Sequence, residues 1–104
     1  MQIRQIVTTI TLMQIEFDAS KNEANIRERG LSFDLAADFD FGTAIIDQDI
    51  RKAYPEVRYV AVGFLGKRLH VLCFVPAVGG IRVISFRKAN TREVKDYDQT
   101  RTTD

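Results

Sequence analysis

The 104-residue chain has little of several residue types that define other protein classes. Cys73 is its one cysteine and His70 its one histidine, so an internal disulfide and a Cys/His zinc site are both excluded. Its longest apolar runs, such as residues 71–77, are far shorter than the roughly 20 residues that span a bilayer. The first residues do not follow the pattern of a secretory signal. We therefore expect a cytoplasmic protein with no metal, no cofactor and no membrane contact.

Proline and glycine are also scarce, with two and six residues, while 45% of the residues are apolar and 28% are charged. This composition is typical of a packed globular protein, and the length allows one hydrophobic core. We predict a single domain over residues 1–104. Met13 offers a second start, so we expect residues 1–12 to be an extension, 13–98 the core and 99–104 a frayed tail.

Helix signals occur near both ends of the chain. Ser20 and Glu23 have the spacing of a capping box, and Gly30 stands where a left-handed residue ends a helix. Ser32 opens a second short helix, and Asn90 begins a terminal helix of about ten residues.

Strand signals occur before the first predicted helix and between the second and the last. Residues 14–18 alternate as a half-buried strand does, residues 3–12 form a weaker candidate, and residues 43–46 form another. Three apolar and β-branched runs then follow at hairpin spacing, over residues 58–64, 68–75 and 81–86. The order β-α-α-β-β-β-β-α predicts an α+β domain: an antiparallel sheet of four to five strands with all helices on one side.

Charge is divided unevenly along the chain. The first 50 residues hold four Lys/Arg against nine Asp/Glu, whereas the remainder holds 11 against five. A basic C-terminal half favours an anionic partner such as nucleic acid, although solvated surface charge explains the same asymmetry. Strict alternation in residues 82–87 places Arg82 and Arg87 on opposite faces of their strand. The basic candidates for a phosphate site are Arg58, Lys67, Arg68, Arg82, Arg87 and Lys88.

Other residues that could act in catalysis or metal binding are more simply explained by packing or by exposure to solvent. His70 alternates with apolar neighbours, which favours a packed sheet residue over a general base, and Cys73 lies on the other face of that strand. Four aspartates cluster without a calcium-loop pattern, which favours an acidic surface over a metal site. Those aspartates are Asp38, Asp40, Asp47 and Asp49.

Several of these segments together resemble the BrnT toxins of bacterial type II toxin–antitoxin modules. The N-terminal segments that match are Glu16-Phe17-Asp18, Lys21-Asn22-Glu23-Ala24-Asn25 and Gly30-Leu31-Ser32-Phe33. The C-terminal segments are residues 58–63, the hairpin 66–69 and the block 81–90, followed by Arg92-Glu93 and Tyr97.

The resemblance implies a RelE-like fold and a metal-independent endoribonuclease that inhibits translation. It also implies neutralisation by a BrnA-like antitoxin, whose ribbon-helix-helix domain would supply the only contact with operator DNA. Carried over by residue, it assigns catalysis to Arg58 and Arg82. It assigns RNA binding to Lys67, Arg68, Arg87, Lys88 and Tyr97.

One departure from the family pattern leaves a second interpretation open. Many relatives have an arginine in the hairpin before the strand at residues 81–86, where this chain has Ala77. Loss of a transition-state contact would slow cleavage about a hundredfold or more. The alternatives are a weak or inactive relative that binds the antitoxin as a co-repressor, and a small RNA-binding domain that does not cleave.

Overall fold

The computed structural model describes residues 13–103. The predicted element order is confirmed within that range, with the second helix being a 3₁₀ helix. The proposed extension 1–12 and the weak strand within it lie outside the described residues. The elements are β1 (Gln14–Phe17), α1 (Ala19–Arg29), the 3₁₀ helix (Phe33–Asp38), β2 (Ile45–Gln48), β3 (Tyr59–Leu65), β4 (Arg68–Ala77), β5 (Gly80–Lys88) and α2 (Thr91–Thr103).

The five strands form one mixed sheet in the order β1-β5-β4-β3-β2. Strands β2 to β5 are antiparallel, which confirms the predicted run of adjacent hairpin-connected strands. β1 is parallel to β5, so the expectation of a wholly antiparallel sheet is wrong. The long connection between these two strands allows the parallel pairing. Gly80 permits the close approach, because a Cβ at this position would lie 1.9 Å from the Gln14 carbonyl oxygen.

The helices cover both faces of the sheet, and the expectation that they share one side is wrong. Alternate residues of β4 belong to two separate cores. Leu72 and Phe74 pack with the 3₁₀ helix on what we call the α1 face. Leu69 and Val71 pack with Tyr97 of α2 on the opposite face, the α2 face.

Helix ends follow local capping, with two departures from prediction. α1 begins at Ala19 because the Asp18 carboxylate accepts the Lys21 amide, so the predicted Ser20 cap is wrong. Gly30 ends α1 in the left-handed conformation, as expected. The Asn90–Glu93 capping box is confirmed by two reciprocal bonds of 2.8 Å. α2 continues to Thr103, so residues 99–103 extend the helix where a frayed tail was expected.

Two asparagines fasten α1 to the rest of the domain. Asn25 is buried, and its Nδ2 donates to the carbonyl oxygens of Leu31 and Phe86, both at 2.9 Å. The Asn22 Oδ1 accepts the Phe33 amide at 2.7 Å. The Lys-Asn-x-x-Asn segment is therefore a structural clamp between α1, the 3₁₀ helix and β5.

We predict that Asn25→Asp destabilises the domain by about 2–4 kcal/mol, because a carboxylate cannot donate to the two buried carbonyls. Asn22→Asp is the matched control, since its carboxylate still accepts the Phe33 amide. Urea unfolding of both variants checks the prediction. Equal stability of the two variants would contradict it.

Candidate active site

A β-bulge decides which side chains of β5 share a face. The pairing of β4 with β5 slips between Cys73, which lies opposite Ser85, and Phe74, which lies opposite Val83. Beyond the slip the alternation in β5 is inverted, because the bulged strand has one extra residue. Arg82 and Arg87 therefore both lie on the α2 face, and the prediction that they lie on opposite faces is wrong.

Arg58 and Arg82 lie in one row across the α2 face. Val75 pairs directly with Arg82. Tyr59 pairs with Phe74, so Arg58, one residue earlier, lies level with Val75 on the other side. The two arginine backbones are thus about two strand spacings, ~10 Å, apart. Both side chains leave the same face of the sheet, one on each side of Val75.

The connection between β2 and β3 supplies partners to both arginines. The Arg58 guanidinium carbon lies 4.0 Å from the centre of the Tyr54 ring, and the Arg82 guanidinium forms an ion pair with Glu56. Asp49 anchors the start of this connection. Its carboxylate is buried and accepts bonds of 2.8 and 2.7 Å from the Arg51 guanidinium. That bidentate contact holds the pKa of Asp49 well below its usual range.

Arg58 differs from the other arginines of this face in its electrostatic environment. Arg51 pairs with Asp49, Arg82 with Glu56 and Arg87 with Glu93. No carboxylate within the described range 13–103 forms an ion pair with Arg58, and its buried Nε has no hydrogen-bond partner. A buried donor without a partner is rare and costly, and a role in binding an anion is one explanation for it.

A cleft of about 390 Å³ lies on the α2 face beside the arginine row, and its own arginines are Arg51 and Arg87. Its floor is apolar, from Val60, Val71 and Cys73, and the Ser85 hydroxyl and the Gln48 amide add polar groups. Arginines thus stand beside a half-apolar cleft. This arrangement suits a phosphodiester with an attached base.

Comparison with known proteins agrees with this chemistry. Residues 17–93 match the family model described as "Ribonuclease toxin, BrnT, of type II toxin-antitoxin system". The chain belongs to this family. The crystal structure of the Brucella abortus ribonuclease toxin BrnT is similar at 28% identity with a TM-score of 0.56, over 76% of this chain and 99% of that one. A search among curated proteins found no match.

Membership of the BrnT family defines the general activity. This chain is a ribonuclease toxin of a type II toxin–antitoxin system, which implies an RNA substrate and an antitoxin partner. The resemblance recognised in the sequence is confirmed, as is the α+β fold. No helix within residues 13–103 has the length and apolar character needed to cross a membrane.

The structure separates the remaining predicted RNA contacts from the arginine row. Lys67 lies in the β3–β4 turn, at the opposite end of the sheet from Arg58. Arg68 pairs with Leu65, and Lys88 pairs with His70, so both lie on the α1 face. Arg87 lies on the α2 face, but both ends of its guanidinium fork are taken by Glu93 at 2.8 Å.

Tyr97 has a packing role. It is buried against Phe64, and its hydroxyl donates to the Thr43 carbonyl at 2.8 Å. These contacts occupy its hydroxyl and bury most of its ring, and we omit it from the proposed site.

The plainer interpretations hold for His70 and Cys73, but the predicted acidic surface is wrong at Asp49, which is buried against Arg51. His70 is buried against Phe86 on the α1 face, and burial lowers its pKa. Burial raises the pKa of the Cys73 thiol, as expected of a core cysteine. No three His, Cys, Asp or Glu side chains of the described part of the chain are grouped to hold a metal ion. Asp40 instead accepts bonds from Gly42 and Thr43.

Sequence reasoning missed Glu56 and the pairing of Asp49 with Arg51. All three residues lie between the strands predicted over residues 43–46 and 58–64. Their roles depend on contacts with β3 and β5, which spacing alone does not reveal. The one local signal is the position of Glu56 two residues before Arg58.

The Arg87–Glu93 ion pair generates a prediction about pH. Arg87 lowers the pKa of Glu93 from its ordinary value of 4.5, so the pair stabilises the fold above that pH. We expect Glu93→Gln, which can keep the capping box, to cost about 1 kcal/mol at pH 7. The difference from the wild type should vanish as the pH falls through the lowered pKa of Glu93. Unfolding titrations at several pH values measure it, and a difference that persists at acid pH would contradict the assignment.

Proposed function

We propose that this BrnT family member is a metal-independent endoribonuclease that cleaves RNA in the cytoplasm and thereby inhibits translation. The 2′-hydroxyl of the RNA attacks the adjacent phosphorus, leaving a 2′,3′-cyclic phosphate and a 5′-hydroxyl. Such a reaction needs substrate positioning and positive charge on the phosphorane oxygens. The protein need not supply a covalent nucleophile.

The arginine row carries this proposal. Arg58 and Arg82 flank Val75 on one face of the sheet, and the buried Nε of Arg58 has no hydrogen-bond partner. Guanidinium groups bind phosphate oxygens through paired hydrogen bonds. Arg58 and Arg82 would therefore hold the cleaved phosphate and stabilise its transition state.

Contacts farther along the RNA belong to a different part of the molecule. We propose that Lys67, Arg68 and Lys88 attract the RNA backbone away from the cleaved bond, at the other end of the sheet. Such contacts add affinity that depends on salt and is independent of sequence. They would change binding more than the rate of the bound complex.

The partner that we propose is a BrnA-like antitoxin with a ribbon-helix-helix domain. The family's membership of type II systems supports a protein antitoxin. In this arrangement the antitoxin both neutralises the ribonuclease and contacts operator DNA, while the toxin chain itself does not contact DNA.

We predict that Arg58→Ala and Arg82→Ala each reduce RNA cleavage by a factor of about 100 or more, because each removes a transition-state contact. Single-turnover cleavage of a labelled RNA in the presence of chelator measures this. Mapping the product ends tests the cyclic phosphate.

Arg27→Ala is the control, because it removes the same charge from exposed α1 on the other face of the sheet. It should cleave at the wild-type rate. Combined alanines at Lys67, Arg68 and Lys88 should weaken binding and reduce its salt dependence. Full activity in both Arg58→Ala and Arg82→Ala would contradict the proposed site.

Ala77 favours a second candidate function, an antitoxin-binding co-repressor with little or no cleavage. Ala77 pairs with Gly80 on the α2 face, two residues beyond Val75. An arginine there would border the row formed by Arg58 and Arg82. The small side chain therefore leaves the row with one guanidinium fewer than many relatives have.

We predict that Ala77→Arg increases cleavage by about tenfold or more, because a third guanidinium would stabilise the same phosphorane. The single-turnover assay compares it with Ala77→Gln, which adds length without charge. Equal rates for the two variants would contradict a catalytic role for that position. No cleavage by the wild type or by Ala77→Arg, with intact antitoxin binding, would favour the co-repressor.

A further inference from the structure

The cleavage reaction needs a proton acceptor for the 2′-hydroxyl, and the arginine row does not supply one. Arginine stays protonated in proteins, so neither Arg58 nor Arg82 can accept a proton. The acceptor must lie beside the phosphate on the α2 face. His70 is excluded because it is buried on the α1 face.

Position and accessibility distinguish the carboxylates of the α2 face. The Asp49 side chain is 1% exposed and its oxygens are occupied by Arg51. Glu93 is bound to Arg87 and caps α2. Asp47 and Asp96 border a separate cleft beside Tyr97. The Glu56 carboxylate is 47% exposed and contacts Arg82 directly.

We propose that Glu56 is the general base of the cleavage reaction, an inference that rests on the proposed ribonuclease function. The contact with Arg82 places the Glu56 carboxylate next to the guanidinium that would hold the cleaved phosphate. A 2′-hydroxyl on the neighbouring ribose then lies within reach of the free carboxylate oxygen. The exposed Glu16 also lies level with Arg82, on the neighbouring strand β1, but it forms no ion pair with Arg82. Within residues 13–103, Glu56 is the one carboxylate that forms an ion pair with an arginine of the row.

The step is balanced in atoms and charge. The Glu56 carboxylate takes the 2′-hydroxyl proton as the 2′-oxygen forms its bond to phosphorus. The bond from phosphorus to the 5′-oxygen breaks, and that oxygen takes a proton from water. The protonated Glu56 returns its proton to the hydroxide so formed, which regenerates both the carboxylate and the water.

The connection that carries Glu56 is built to hold it in place. Its first residue, Asp49, is fixed by Arg51 and by a 2.7 Å backbone bond to the Arg58 carbonyl. Tyr54 contacts Arg58 from the same connection. Both arginines of the row thus touch residues of one segment, so the base and the phosphate site keep a common geometry. A positioned base contributes about 10²–10⁴ to a rate.

Glu56→Gln tests the assignment, because the amide keeps the size of the side chain but cannot act as the base. We expect its single-turnover rate at saturating protein to fall by about 100-fold, with RNA affinity at least as high as that of the wild type. Glu56→Asp should recover part of the rate.

Glu28→Gln is the matched control, with the same change on exposed α1, outside the cleft and the arginine row. We expect it to keep the wild-type rate. A Glu56→Gln variant that cleaves at the wild-type rate would overturn the assignment of Glu56 as the base. The ribonuclease proposal would still stand in that case if the wild type is active and Arg82→Ala is inactive. A wild type that cleaves no RNA would overturn both.

Discussion

The slip of one residue between β4 and β5 is the constraint on which the site depends. Without it, strict alternation would place Arg82 towards the α1 face, which is filled by an aromatic core. With it, Val83 and Phe86 both enter that core, although they are three residues apart, and Arg82, Ser85 and Arg87 all lie on the α2 face. This one β-bulge therefore places Val83 and Phe86 in the core and puts Arg82 on the same face as Arg58.

The four arginines of the α2 face differ in whether a carboxylate pairs with them. Arg51 and Arg87 are fixed by bidentate contacts to carboxylates, and these two pairs hold the β2–β3 connection and the start of α2. Arg58 has no such partner within residues 13–103, and the ion pair of Arg82 with Glu56 is partly exposed to solvent. Arg51 and Arg87 thus stabilise the fold, whereas Arg58 and Arg82 are the arginines that we propose bind phosphate. The family resemblance assigns catalysis to the same two residues.

Much of the architecture could be predicted from local signals. Gly30 and the Asn90–Glu93 box set helix ends through their own backbone contacts, and alternation with turn residues located β3, β4 and β5. Three features could not be predicted, because each depends on pairing between segments distant in sequence. These features are the parallel position of β1, the split of the helices between the two faces, and the bulge. Arg58 and Arg82 were selected by motif, but their common face depends on the bulge. Glu56 had no motif to mark it.

The most direct test of the shared arginine row is a crystal structure of the chain with a short RNA whose nucleotide at the cleavage position lacks the 2′-hydroxyl. Such an RNA cannot be cleaved by the attack that we propose. The account predicts the phosphate at that position between the Arg58 and Arg82 guanidinium groups, above Val75 on the α2 face. RNA bound instead on the α1 face, beside Arg68 and Lys88, would contradict it.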